Sequence, residues 1–149
     1  MNKLLKNTAL LICDLQTKSI RNLFYRNKII KNINKLLEIK TVSPNIKLSS
    51  AAEFIPEKLG HISPSINIDN IHHIYNKNTY SMVNRQLLDK LQNYDIETVI
   101  LTGMELQWCI NSTLIDLNSQ GYDVFIPIDA VGNNLSDIEN TYNIENLKN

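Results

Sequence analysis

Cysteine occurs only twice in this chain, at Cys13 and Cys109, and no Cys-x-x-Cys pair exists. That excludes a zinc ribbon and a dithiol redox motif, and it reads as a reduced, cytoplasmic protein. The basic-then-apolar start "MNKLLKNTALLICD" mimics a signal peptide but runs into Asp14 without a small-residue cleavage site. It reads as a first strand, with a mitochondrial address as the alternative. An excess of charge is also missing, since 15 basic residues balance 15 acidic ones. Without a basic field, binding to a phosphate backbone is not expected. Aromatics make up only 7%, too few for base-stacking platforms. No apolar stretch approaches the roughly 20 residues of a membrane span.

What is present is a series of strands and helices in alternation. The composition is rich in Asn, Ile and Lys, which an AT-rich genome explains. Residues 8–16, "TALLICDLQ", form an apolar run closed by an acid, as suits a strand buried on both faces of a parallel sheet. Ile20, Leu23, Phe24, Ile30, Ile33 and Leu37 recur at helical spacing and predict one long helix. "NIKLSS" is a weak second strand, "EFIPEKLGHISPS" a loop, and "IHHIYNK" a short third strand. "SMVNRQLLDKLQNY" is helical, "ETVILTG" is the clearest strand, and "CINSTLIDLNSQG" is a helix stopped by Gly121. "DVFIPIDA" is the last strand, followed by a polar helix from Ser136. The fold class is therefore α/β: an open, mainly parallel, Rossmann-like sheet of about five strands with helices on both faces. Residues 1–149 form a single domain.

In such sheets, sites gather outside the carboxyl ends of the strands. Asp14 ends the first strand, Lys77 the third, and Cys109 follows the fourth. Taken singly, each has a plain explanation: a strand-end cap, a solvated loop charge, a core thiol. Together they have the logic of an activated nucleophile, with a thiol, a base and a group that orients the base. A cysteine in the first turn of a helix, beside an ammonium, is expected to have a depressed pKa. Cys13, inside the first strand, reads as core. Ser112 and Thr113 read as caps or packing.

Four ordered motifs carry a resemblance to the isochorismatase-like cysteine hydrolases, nearest to the eukaryotic isochorismatase domain-containing proteins. "ALLICDLQTK" resembles the opening strand. "EFIPEKLGHISPSI" is similar to the family loop, here with Glu53, Pro56, Leu59, Gly60 and Pro64. "KNTYSM" resembles the lysine turn, and "TGMELQWCINSTLIDLNSQGYDVFIPIDA" the nucleophile segment. The resemblance implies a catalytic triad of Asp14, Lys77 and Cys109. It also implies a cis peptide at Met104–Glu105 and oxyanion donors on the backbone of Glu105 and Cys109. Gln16, Tyr80 and Trp108 are its candidate substrate-binding residues, with Phe54 a similar candidate. Trp108 is either a wall for a flat substrate or packing under its helix.

The resemblance further implies a small amide or ester substrate, a thioester intermediate, no cofactor and a homo-oligomer. Nicotinamidase relatives carry an Asp-x-His metal element after the second strand, and "NIKLSSAAEF" has no histidine. No metal is expected. His72 and His73 are neighbours and would face opposite ways on a strand. Relatives continue into a sixth strand and a further helix, so the resemblance implies a domain shortened at its C-terminus. That leaves a second reading open: an inactive relative serving as a protein-interaction module. Ribonuclease activity, suggested for some relatives, is a third, which the neutral charge disfavours.

Overall fold

The computed structural model describes residues 7–134. Six strands form one sheet: β1 Thr8–Cys13, β2 Ile46–Phe54, β3 His73–Lys77, β4 Thr98–Met104, β5 Asp123–Phe125 and β6 Val131–Gly132. The order is β3-β2-β1-β4-β5, with β6 also on β4, and the paired strands run parallel. The apolar runs "TALLIC" and "TVILTGM" are buried along their whole length because they are the two central strands. Helix α1 (Arg26–Val42) covers one face, where Leu10 and Ile12 meet Ile29, Ile33 and Leu37. Helices α3 (Arg85–Asn93) and α4 (Asn111–Ser119) cover the other, where Ala9, Leu11 and Cys13 meet Leu87, Leu91 and Leu117. The pleat sends alternate side chains to opposite faces, which is why one strand feeds both cores.

Four sequence-based expectations are corrected. The long first helix is two pieces, a 3₁₀ turn at Ser19–Asn22 and then α1. Tyr25 separates them in a left-handed conformation (φ 55°), and its identity gives no hint of that. The weak second strand extends to Phe54, into what reads as loop, and the loop itself holds a one-turn helix α2, Pro56–Leu59. The last strand, expected over 123–130, is β5 and ends at Phe125, and β6 follows beyond it. Pro127, which has no N–H to give a ladder, lies in the turn between them. Among the described residues the sheet has six strands, β6 being a two-residue addition to the about five expected. The polar helix expected from Ser136 lies outside the described residues.

Chain order reverses between β1 and β4, which are neighbours in space. The crevice beyond their carboxyl ends is where an open α/β sheet admits a ligand.

Candidate active site

Three strand ends deliver three side chains to this crevice. Asp14 follows β1 directly, in a left-handed conformation with φ 55°. Lys77 is the last residue of β3, two strands away from β1. Two strand spacings are about 9.5 Å, so only a long side chain spans them. Its ammonium passes 4.5 Å from the centre of the Phe54 ring, at the end of the intervening strand. Cys109 lies in a π-helical turn, Leu106–Ile110, between β4 and α4. Cys109 thus lies near the start of its helix, as expected, but in the π-helical turn just before α4 rather than in α4 itself. The peptide Met104–Glu105 is cis, and the Glu105 carbonyl accepts from the N–H groups of both Trp108 and Ile110.

The three groups meet. Lys77 Nζ stands 3.0 Å from Asp14 Oδ2 and 3.4 Å from Cys109 Sγ. Asp14 is 4% exposed, Cys109 6% and Lys77 7%. Lys77 also donates to the carbonyls of Thr79 (2.9 Å) and Tyr80 (2.8 Å). An ammonium has three protons, so one remains to serve the carboxylate and the sulfur together. A buried ion pair gains little stability because both ions lose water. Its presence at a cavity is instead the arrangement expected of reacting groups.

The protonation states depart from expectation. Burial pushes the Cys109 thiol up, the adjacent Asp14 carboxylate pushes it further, and Lys77 offsets only part, leaving it at about 12. Burial also raises the Asp14 carboxyl above its ordinary range, again partly offset by Lys77. Sequence reasoning weighed the ammonium but neither the burial of the sulfur nor the repulsion from the neighbouring carboxylate. Both directions favour a protonated sulfur over a preformed thiolate in the resting site.

Asp14 and Cys109 line a cavity of about 490 Å³. Phe54, Tyr80 and Trp108 form one side, with ring centres 6.0 Å apart for the first pair and 5.7 Å for the second. Trp108 is 48% exposed and borders the cavity, so it does not pack under its helix. Lys18, Ser19 and Asn22 stand on the lining as well, none of them singled out by sequence. Gln16 does not face this space. Fully buried, it donates to the Phe54 and Gly60 carbonyls (3.0 and 2.6 Å) and accepts from the Phe54 N–H (2.8 Å). It clamps the loop that carries Phe54 and Leu59. Gln16→Leu leaves three backbone groups without partners, and we expect it to cost about 2–4 kcal/mol in chemical denaturation.

Among the described residues no cluster of His, Cys, Asp and Glu is arranged to hold a metal ion. His72 contacts Lys40 and His73 contacts Gln86, on separate parts of the surface. His61 pairs with the buried Glu53 carboxylate at 3.1 Å, which also accepts from the Ile62 N–H. No helix among the described residues is long and apolar enough to cross a membrane.

Residues 54–149 match the sequence profile of the Isochorismatase domain. Isochorismatase family protein 2B of Dictyostelium discoideum is 32% identical over 157 residues, covering 95% of this chain and 69% of that protein. Isochorismatase domain-containing protein 2 of Xenopus laevis is 30% identical over 84% of this chain and 60% of its own length. The chain spans 65% of Isochorismatase family protein 1B of Dictyostelium discoideum. Among solved structures, the MAR1 ribonuclease from Caenorhabditis elegans superposes with a TM-score of 0.80 at 29% identity, covering 93% of this chain and 71% of that one.

Proposed function

Since the chain belongs to the isochorismatase family and has the fold of its hydrolases, we propose that it is a cysteine hydrolase acting on a small amide or ester. Cys109 is the nucleophile, Asp14 carries the proton, and Lys77 is a fixed cation that keeps Asp14 oriented. The observation that carries this reading is the approach of Lys77 Nζ to both Asp14 Oδ2 and Cys109 Sγ beside a cavity.

The thiol proton passes to Asp14 as sulfur attacks the carbonyl carbon. The C–N or C–O bond breaks, Asp14 returns the proton to the leaving amine or alcohol, and a thioester remains on Cys109. Water then attacks the thioester and gives a proton to Asp14. The acid departs as the S–C bond breaks, and the proton returns to sulfur. We assign the oxyanion to the backbone N–H groups of Glu105 and Cys109, a type of contact worth about 3–4 kcal/mol per donor. Both residues border the cavity beside the sulfur.

The test uses p-nitrophenyl acetate. We expect a burst of one p-nitrophenol per chain and an acetyl group on the peptide containing Cys109. Absence of the burst, or acetylation elsewhere, overturns the reading. A ribonuclease is the second reading, favoured by the structural neighbour of that description. The net charge of zero and a single cation, Lys18, among the described lining residues weigh against it. Cleavage of single-stranded RNA that weakens steeply with salt would reverse the preference.

A further inference from the structure

Thr113 is wholly buried, one turn of helix beyond Cys109. Its hydroxyl donates to the Cys109 carbonyl at 2.6 Å. A back-bond of this kind within a helix is ordinary. The same oxygen, however, also accepts the backbone N–H of Met82 at 2.9 Å, from a segment 31 residues away. The Met82 carbonyl in turn accepts the Tyr75 hydroxyl at 2.6 Å. Met82 is therefore held on both sides of its residue. It closes the loop whose Thr79 and Tyr80 carbonyls hold the Lys77 ammonium. Tyr75 sits on β3, two residues before Lys77. On its remaining side the Thr113 hydroxyl lies 3.9 Å from Cys13 Sγ, the residue before Asp14.

One hydroxyl thus bonds the Cys109 backbone and the end of the loop that holds the Lys77 ammonium, and lies beside the residue preceding Asp14. We propose that Thr113 is the positioning residue that aligns Cys109 with the Lys77–Asp14 pair, acting through the backbone of Cys109 and Met82. The inference rests on the reading of Cys109 as a nucleophile. A hydroxyl with one proton and two lone pairs can serve both backbone groups at once. Valine has the same shape and can serve neither.

The experiment measures burst acylation by p-nitrophenyl acetate in the full chain, at several concentrations. Thr113→Val is expected to lower the maximal acylation rate about tenfold, the scale of one buried hydrogen bond, with the half-saturating concentration unchanged. Thr113→Ser, which keeps the hydroxyl, is expected to restore most of the rate. Should Thr113→Val fail to fold, Tyr75→Phe keeps the ring in the core and breaks the same chain at its other end. A loss of rate of about threefold or more is then expected, again without a change in half-saturation. Unaltered acylation in folded Thr113→Val, or in Tyr75→Phe where valine does not fold, overturns the proposal. So does a loss in Thr113→Ser equal to that in valine, or a change confined to half-saturation. No acylation of Cys109 in the unaltered protein instead overturns the hydrolase reading itself, so the two failures are distinct.

Discussion

Replacing Cys109 with alanine is expected to abolish turnover, and replacing Asp14 with asparagine to lower it by about 10²–10⁴-fold. The two variants should fail in different ways. Without the sulfur no acyl group is captured from any substrate. Without the carboxylate the sulfur remains, but it has lost the acceptor for its proton and the donor to the leaving group. A p-nitrophenolate leaves without being protonated, whereas an amine does not. Asp14→Asn should therefore damage hydrolysis of an anilide far more than hydrolysis of a nitrophenyl ester. Equal losses on the two substrates would remove Asp14 from the role of acid. The pH profile carries the same information. Asp14 must be ionised to accept the proton, and burial raises its pKa. Activity should then fall, as pH is lowered, above the usual carboxylate range of about 4. That limb should vanish in Asp14→Asn. Thermal melts must accompany both variants, because the asparagine leaves Lys77 buried beside a neutral group.

Gly103→Ala is expected to cost about 4 kcal/mol or more, a large share of the ~5–15 kcal/mol that holds a typical domain together. Gly103 sits in β4 with φ 109°, paired with Cys13 of β1. An added Cβ would overlap the Cys13 carbonyl oxygen and stand 2.7 Å from its nitrogen and 2.9 Å from its carbonyl carbon. These are backbone atoms of the central strand pair and have no room to move. Gly121→Ala supplies the control. It too has a positive φ, 89°, but nothing lies within 4 Å of the added atom. Only the conformational cost of about 1–2 kcal/mol remains there. Urea denaturation at constant slope measures both. A Gly103→Ala variant within about 1 kcal/mol of the parent would contradict the close approach of β4 to β1.

The sheet was legible because its central strands are continuous apolar runs and its helices repeat their apolar residues at helical spacing. The meeting of Asp14, Lys77 and Cys109 was legible because all three follow strands in a parallel sheet, where topology brings strand ends together. What escaped detection has physical causes. Tyr25 bends the chain in a conformation that residue identity does not encode. Pro127 did signal a break in the last strand, but the apolar residues around it outweighed it. Gln16 was a candidate substrate contact through the resemblance alone, and its side chain instead bonds backbone groups of Phe54 and Gly60, 38 and 44 residues away. The bond of Thr113 to Met82 spans 31 residues, and no local pattern reports it. The direction of the thiol shift was hidden as well, since it is set first by burial of the sulfur and then by the opposed charges of the carboxylate and the ammonium.

The left-handed turn at Asp14 has an evolutionary corollary. With φ at 55°, that backbone accommodates glycine, asparagine, aspartate and histidine more readily than branched residues. Among these, aspartate alone offers a carboxylate to pair with Lys77. Every other residue tolerated at this codon removes the proposed base and also leaves the buried Lys77 ammonium without its carboxylate. Loss of the proposed chemistry at this position is therefore coupled to a loss of stability, which slows the passage to a non-enzymatic descendant.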